Sequence, residues 1–199
     1  MKTIELKVYK FGELTPDLQE KLIEDNRDAL VEDDSWFEPI IDGFCEDMGE
    51  LGHEIAFKDI SFTGFWSQGD GARFTTYNGS LLTRALFKES GIKLKDLPKG
   101  FGKEMDDGLI QLDLKRNGLR YCHENTVELH YSYDGENEAI EDAICENISP
   151  IADMLRDKMR KLYADLEKHH EALRSDEVVK EELIELESDY TITGEVFSI

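Results

Sequence analysis

The spacing of the apolar residues changes along the chain, and this change limits the possible folds more than any single motif does. Apolar and polar side chains alternate, as in half-buried β-strands, in residues 109–116 and 119–133. Residues 55–62 and 72–77 are also predicted strands, and a slip in the alternation near Lys58-Asp59 suggests a bulge in the first of them. Strands that are grouped in the middle of a chain and joined by tight turns favour an antiparallel sheet with helices packed on it. The sequence therefore predicts an α+β fold built on an antiparallel meander.

Helix signals lie on both sides of this central region. Thr15-Pro16 and Asp33-Asp34-Ser35 are N-terminal capping patterns, and apolar residues at helical spacing follow each of them. Toward the C-terminus, the same spacing predicts a helix over 137–147, which restarts at Ser149-Pro150 and runs to about residue 171. Ser175 is expected to cap a last helix that ends near residue 187.

The remaining segments complete a single predicted domain. Alternation predicts a strand over 3–8 and a final strand or an extended tail over 190–196, and glycines mark 90–108 as a loop. Asn117-Gly118 is a two-residue hairpin signal before the strand 119–133. The predicted domain has three parts: an N-terminal strand with helices (1–50), the central sheet (51–133), and a long C-terminal helical segment with a terminal strand (134–199).

The 199 residues carry a formal net charge of −22, which is unevenly distributed. Residues 1–50 and 121–199 contribute −10 and −14, whereas residues 51–120 contribute +2. Such acidic flanks repel phosphate, so direct nucleic-acid binding is disfavoured and a protein partner with a basic surface is favoured. A pocket for an anionic ligand would have to use the central cations, Arg73, Arg84, Arg116 and Arg120.

Apolar runs and cysteines indicate the cellular setting that we expect. The longest apolar runs fall far short of the roughly 20 residues of a membrane-spanning helix, and the N-terminus carries no apolar signal core. Cys45, Cys122 and Cys145 form no CxxC pair, so we expect reduced, at least partly buried thiols. We therefore expect a cytoplasmic protein without a metal or another cofactor.

The segment Gly64–Phe74 is the strongest candidate for a ligand site. Its three glycines, Gly64, Gly69 and Gly71, would let a ligand approach the main chain. They are accompanied by stacking, hydrogen-bonding and charged side chains: Phe65, Trp66, Ser67, Gln68, Asp70 and Arg73. This set could hold a nucleotide-like small molecule, with its base on Trp66 and a phosphate near Arg73.

A structural role accounts for the same residues. In this interpretation Gly69-Asp70-Gly71 is simply a tight turn between two strands, and Phe65 and Trp66 lie in the core. The segment lacks the Gly-Lys-Ser/Thr ending of a Walker loop, and it joins strand to strand, unlike a Rossmann fingerprint. The sequence leaves both interpretations open.

His123 is the second candidate, because Cys122 and Glu124 flank it. An imidazole beside a thiol or a carboxylate can take part in acid–base or metal chemistry. Adjacent side chains on a strand point to opposite faces, however, so these three cannot converge. A hydrogen-bonded histidine of the sheet is the alternative, and no signature of a catalytic triad is present.

The most specific motif is the run Phe62-Thr63-Gly64-Phe65-Trp66-Ser67-Gln68-Gly69-Asp70-Gly71-Ala72. It resembles the signature of a poorly characterised family of phage-encoded proteins, some of which are labelled antitoxins. Tyr121-Cys122-His123-Glu124 and the helix 160–187 are similar to that family too. The resemblance implies a phage accessory protein that acts in the cytoplasm of the infected bacterium, and it brings no established catalytic residues.

The sequence leaves three functional hypotheses open. The first is a non-enzymatic protein that neutralises a host factor, with its acidic helices, 17–34 and 134–187, on a basic surface of that factor. The second is a nucleotide-type ligand binder or enzyme that uses Gly64–Phe74 together with His123. The third is an antitoxin that binds its own toxin. Acidic helices can also be solvated faces that keep the chain soluble, or imitate DNA phosphates.

Overall fold

The computed structural model describes residues 7–77, 79, 81–118 and 121–197. In chain order, the helices and strands of this part are α1 (Pro16–Asp25), α2 (Glu38–Glu50), β1 (Ile60–Thr63), β2 (Gly71–Phe74), α3 (Thr83–Glu89), α4 (Phe101–Asp106), β3 (Ile110–Arg116), β4 (Val127–Tyr133), α5 (Glu138–Leu173) and α6 (Asp176–Glu185). None of these helices combines the length and the apolar character that a membrane crossing needs. The chain divides into two compact units, residues 1–37 with 168–199 and residues 38–167.

The first unit is built from the two ends of the chain, around α1 and α6. Both helices begin where the sequence predicts, because Thr15 stands at the N-cap of α1 and the Ser175 hydroxyl accepts a hydrogen bond from Val178 N in α6. Apolar side chains from both helices and from the flanking segments meet in one core: Phe11, Leu14, Leu22, Val179, Leu183 and Tyr190. Burial of this shared core is what stabilises two helices of only ten residues each.

The second unit contains two separate two-stranded antiparallel sheets, β1–β2 and β3–β4. Ile60 lies opposite Phe74 in the first sheet, and Ile110 lies opposite Tyr133 in the second. The sheets are linked where Thr76 N, just after β2, donates to the Leu114 carbonyl of β3 at 2.9 Å. The predicted α+β class, with antiparallel strands and a long C-terminal helix, is confirmed, and its strands form two small sheets.

Helix α5 runs through 36 residues without interruption. The predicted restart at Ser149-Pro150 is wrong, because Pro150 lies inside the helix. A proline there removes one backbone hydrogen bond and crowds the preceding turn. Deep burial on both sides offsets this cost, since Ile144 and Ile151 are each only 1% exposed.

The connection between β3 and β4 differs from the predicted hairpin. Arg116 lies opposite Val127, so the connection covers 117–126 rather than Asn117-Gly118 alone. Residues 124–126 form a short 3-10 turn, and β4 begins only at Val127. Side chains cause this difference, because Thr126 Oγ1 donates to the His123 carbonyl at 2.7 Å and thereby competes with strand pairing.

Other predicted segments also end differently. A 3-10 turn over 57–59 replaces the first half of the strand 55–62. The predicted loop 90–108 contains α4, which buries Phe101 and Met105. The predicted strand 3–8 falls mainly on residues 1–6, outside the described part, and 190–196 forms only isolated bridges.

Candidate functional site

Residues 64–70 connect β1 to β2 and expose one large aromatic side chain. Trp66 is 75% exposed, whereas Phe65 beside it is half-buried. The interpretation that places both rings in the core is therefore wrong for Trp66. Ser67 and Gln68, which follow it, are exposed as well.

The Asp70 carboxylate closes this loop on itself. Its Oδ2 atom accepts hydrogen bonds from Trp66 N at 3.1 Å and from Ser67 N at 2.6 Å, while Asp70 N donates to the Ser67 carbonyl at 3.1 Å. Local bonds of this kind let an aspartate fix a turn. Among the residues that the structure describes, the second oxygen, Oδ1, receives no hydrogen bond.

Aromatic packing holds the loop on helix α5. The Phe65 ring lies 5.4 Å from the Tyr163 ring and 6.5 Å from the Phe62 ring, measured between centroids. The Tyr163 hydroxyl donates to the Gly64 carbonyl at 2.7 Å. Burial, with the nearby carboxylates of Asp70 and Glu167, raises the pKa of Tyr163, so its hydroxyl keeps the proton that it donates.

Two glycines allow the loop and β2 to approach the segment 121–123 closely. A Cβ atom on Gly69, where φ is +103°, would lie 2.7 Å from Cδ1 of Tyr121. A Cβ atom on Gly71 would lie 2.4 Å from Cβ of His123 and 2.8 Å from its Cα atom. The structure thus brings the predicted loop and the predicted histidine together, at positions where only glycine fits.

Arg73 stabilises this arrangement from within. Its side chain is enclosed, with the residue 6% exposed, and Nη1 donates to the Tyr121 carbonyl and to Thr126 Oγ1, each at 3.0 Å. Burial lowers the pKa of Arg73 below its usual value. The predicted contact with a ligand phosphate does not match this placement, because the guanidinium binds the 117–126 connection instead.

His123 does not lie on a strand, and that prediction is wrong. It precedes the 3-10 turn, where its Nδ1 atom accepts a hydrogen bond from Asn125 N at 3.1 Å. Glu124 is 4.0 Å from the same nitrogen and also pairs with Arg160 of α5 at 3.4 Å. Cys122 is buried, which raises the pKa of its thiol and leaves it protonated at neutral pH.

The other predicted cations that the structure describes, Arg84 and Arg116, are engaged in local contacts. Arg84 forms a two-pronged ion pair with Asp106, with distances of 2.7 and 2.6 Å. Arg116 donates to the Gly118 carbonyl at 2.7 Å, and Arg120 lies outside the described residues. Within the described stretches, no three histidine, cysteine, aspartate or glutamate side chains form a group that could hold a metal ion.

Comparison with known families adds one decisive observation. Residues 36–176, which are more than two thirds of the chain, match the model of a family described as a domain of unknown function, DUF8835. The chain belongs to the DUF8835 family. No curated protein and no solved structure matches it. The matched part of this DUF8835 protein contains the loop 64–70 and the residues that support it, Tyr121, His123 and Tyr163.

Sequence reasoning missed the residues that hold the loop. From the sequence, Tyr121 is only part of the motif Tyr121-Cys122-His123-Glu124. Tyr163 is only one residue of the predicted helix that runs to about residue 171, outside its apolar stripe. Gly64 and Tyr163 are 99 positions apart, and no periodicity in the sequence predicts their contact. The spacing of the glycines was the one available signal for this contact, and it indicates a close approach to the loop without identifying the residue that approaches.

The thiols of this DUF8835 protein differ in part from the prediction. All three cysteines are free; Cys45 is half-buried and Cys122 is buried, but Cys145 is exposed. Its Sγ atom lies 3.1 Å from the Tyr131 hydroxyl, and this hydrogen bond raises the pKa of Tyr131 to about 12.

A second polar cluster links α5 to α3 of the DUF8835 region. His53, whose side chain is fully buried, accepts a hydrogen bond from Leu82 N on Nδ1, so Nε2 carries the hydrogen that is donated to Glu89 at 2.8 Å. Lys158 of α5 pairs with the other Glu89 oxygen at 2.7 Å. Burial opposes the charge on Glu89, but these two partners outweigh it, and the pKa of Glu89 is lowered.

Glu89→Gln is expected to reduce the free energy of unfolding by about 1 kcal/mol at neutral pH, because glutamine keeps the bond to His53 and loses the charge opposite Lys158. A lowered pKa in the folded state means that the wild-type advantage is complete above the ordinary value of 4.5 and disappears as the pH falls through the folded value. Urea denaturation between neutral and acidic pH measures this difference. An advantage that grows on acidification contradicts it, and Glu54→Gln, at an exposed position, is the control.

Proposed function

We propose that this DUF8835 protein is a non-enzymatic binding protein that docks on a basic surface of another protein, with the loop 64–70 as its anchor. One observation carries the proposal: Trp66 is 75% exposed on a loop whose backbone is held by Asp70. Tryptophan is enriched among the residues that dominate binding energy at protein interfaces. A loop whose backbone is already held loses little conformational freedom on binding.

The charge of the protein supports a basic partner. Residues 38–167 contain 26 acidic and 15 basic side chains, and residues 1–37 with 168–199 contain 19 and 8, so each unit contributes −11. Charge of one sign attracts an oppositely charged partner from a distance and accelerates association. The tryptophan would then supply the short-range contact that fixes the docked position.

The biological setting within this proposal follows from the resemblance to phage-encoded proteins. The partner is a host factor in the bacterial cytoplasm, and binding neutralises it. An antitoxin that binds its toxin would use the same chemistry, and the identity of a captured partner distinguishes the two.

A nucleotide-type ligand is the second candidate, because an exposed indole is a good surface for base stacking. It is less well supported. Arg73, the cation expected near the phosphate, is enclosed by its bonds to Tyr121 and Thr126. The charge of the whole protein also repels phosphate.

Trp66→Ala tests the proposal in a pull-down from bacterial lysate, followed by affinity measurement on the purified partner. We expect the affinity to fall at least about tenfold, since hot-spot truncations cost about 2 kcal/mol or more. The stability of the fold should change by no more than about 0.5 kcal/mol, because the side chain is largely in water. Tyr77→Ala removes another exposed aromatic ring, 62% exposed, and should leave binding unchanged.

Salt provides the second arm of the same test. Raising the ionic strength from about 0.1 to 1 M shortens the screening length from about 10 to 3 Å and should weaken the complex. Equal capture by Trp66→Ala and wild type, or capture that is insensitive to salt, contradicts the proposal.

A further inference from the structure

We infer that the outer edge of β4, the side that faces away from β3, is a second docking surface, on which the basic partner adds an extended strand rich in lysine or arginine. This inference rests on the proposed function for the charge of the partner, and it adds recognition of the partner's backbone. It follows from the direction of the backbone groups of β4 and from the charge beside them.

Hydrogen bonds at the two ends of the β3–β4 sheet fix which residues are bonded across it. Asn117 N donates to the Thr126 carbonyl at 2.7 Å, and Asp134 N donates to the Leu109 carbonyl at 2.9 Å. Both pairs continue the register of the sheet. Because bonded and non-bonded pairs alternate along an antiparallel ladder, every second residue of β4 bonds β3.

This alternation leaves Leu129 and Tyr131 with backbone groups that point outward. The residues of β4 that bond β3 are the alternate ones, Glu128, His130 and Ser132. Within the part of the chain that the structure describes, the N–H and C=O groups of Leu129 and Tyr131 make no hydrogen bond. Buried backbone groups are almost always paired, so these four groups must lie in water or bind another chain.

The outer edge of β4 is open to solvent and long enough to hold a strand. The Tyr131 hydroxyl lies 3.1 Å from Cys145 Sγ of α5, in an exposed contact. Strand β4 has seven residues, whereas proteins commonly keep unpaired edge strands very short. Outward main-chain donors and acceptors of this kind are the template for β-strand addition, in which an extended segment of a partner becomes the next strand.

The charge beside β4 selects the occupant. Residues 121–155, which contain β4 and the first half of α5, carry nine acidic residues and no lysine or arginine. The hydrogen bond to Cys145 and the nearby Glu141 carboxylate both raise the pKa of Tyr131, which places one of these charges next to the edge. Such charges repel an acidic segment or a second copy of this chain, and they attract a basic segment.

The two faces of β4 specify how the added strand alternates. Glu128, His130 and Ser132 are exposed, whereas Leu129 and Tyr131 are half-buried. In an antiparallel arrangement, the residues opposite the exposed set are therefore basic, and those opposite Leu129 and Tyr131 are apolar. The apolar residues of the added strand direct their own N–H groups toward β4, and the basic residues direct theirs into water.

The test uses a capped heptapeptide in which lysine and valine alternate, with lysine at both ends, and reads amide hydrogen exchange by NMR. In the free protein, we expect the amides of Leu129 and Tyr131 to exchange at least about tenfold faster than those of His130 and Ser132, which are bonded to β3. Saturating peptide should slow exchange at Leu129 and Tyr131 by at least about tenfold.

Two N-methylated forms of this peptide isolate the backbone. Methylation of the three valine nitrogens removes the donors that face β4, whereas methylation of three lysine nitrogens removes donors that face water. We expect the first form to bind at least about tenfold more weakly than the unmodified peptide, and the second to stay within about threefold. A peptide with glutamate in place of lysine should also bind at least about tenfold more weakly.

Two variants separate the outward N–H group of Tyr131 from its ring. Tyr131→Ala and Tyr131→Pro both remove the contact with Cys145, but only proline removes the N–H group. Proline is tolerated at an edge position whose N–H group does not bond the neighbouring strand. We expect Tyr131→Pro to bind the peptide at least about fivefold more weakly than Tyr131→Ala.

Three results overturn the inference: no protection of Leu129 and Tyr131 by the peptide, equal affinities of the two N-methylated forms, or equal affinities of the lysine and glutamate peptides. Amides of Leu129 and Tyr131 that are already protected in a free protein of twice the monomer mass would assign the edge to a second copy and overturn it too. The N-methylated peptides decide the matter even if Tyr131→Pro does not fold.

The proposed function is judged separately, by Trp66-dependent capture of the protein partner. Such capture without peptide pairing on β4 refutes the inference alone. Peptide pairing on β4 without such capture refutes the proposed function alone.

Discussion

Gly71→Ala is expected to lower the free energy of unfolding by about 3 kcal/mol, at the upper end of the usual cost of overpacking. The new methyl group would overlap Cβ and Cα of His123 and approach the Cys122 carbonyl to 3.1 Å. Two of these three neighbours are backbone atoms, so no side-chain rotation relieves the clash. Either β2 or the segment 121–123 would have to move, and Arg73 ties them together.

Urea denaturation followed by circular dichroism measures this change. The slope of the free energy of unfolding against urea concentration should be the same for both proteins, which shows that they unfold in the same way. Gly43→Ala is the matched control, because Gly43 lies in α2 and, apart from its chain neighbours and the backbone of its own helix, no atom comes within 4 Å of its new methyl group. Alanine is the better helix former, so this variant should gain up to about 1 kcal/mol. A Gly71→Ala protein as stable as wild type contradicts the close approach of β2 and His123.

Arg73→Ala is expected to cost about 3 kcal/mol as well. It leaves the buried Thr126 Oγ1 and the part-buried Tyr121 carbonyl without the guanidinium, and an unsatisfied buried acceptor costs about 1–3 kcal/mol. Removing a buried positive charge offsets part of this loss. The expected cost therefore stays below the sum of the two lost hydrogen bonds and the space that the side chain leaves empty. The 117–126 connection should become more mobile, and amide hydrogen exchange at residues 121–126 reports that loosening.

Two variants separate the role of Arg73 from that of an ordinary surface arginine. Arg73→Lys keeps a donor and should recover part of the stability. Arg84→Ala breaks an ion pair whose two side chains are 40% and 58% exposed, so its cost should not exceed about 1 kcal/mol. Equal effects of Arg73→Ala and Arg84→Ala would contradict the structural role of Arg73.

Local sequence patterns predicted much of the fold. The starts of α1 and α6 follow from Thr15-Pro16 and Ser175, because helix caps depend on a few adjacent residues. The strand β3 follows from strict alternation, and it buries Ile110, Leu112 and Leu114 as predicted. These elements can be predicted from adjacent residues, without information about distant contacts.

The deviations arise where distant or competing contacts decide. Pro150 signals a helix end, yet burial of the stripe around it keeps α5 continuous. Asn117-Gly118 signals a hairpin, yet hydrogen bonds from Thr126 and Arg73 stabilise a longer connection. In both cases the contacts made by the packed structure outweigh the local preference.

The candidate site shows the same division. Its position in 64–70 was predictable, because three glycines near two aromatic residues are unusual. The roles within it were not. Asp70 and Arg73 have the side chains of ligand-binding residues, but Asp70 Oδ2 closes the loop and Arg73 binds the 117–126 connection. Trp66, which could equally have filled the core, is the residue left in water.

Acrylamide quenching of Trp66 in the Trp36→Phe protein tests the central claim most directly. Acrylamide is uncharged, so the acidic surface does not repel it, and it quenches exposed indoles far more efficiently than buried ones. An indole held in water by the loop should be quenched nearly as efficiently as a free tryptophan derivative, and a captured partner should protect it. A Trp66 that is shielded in the free protein, with the blue-shifted emission of a buried ring, would contradict the account.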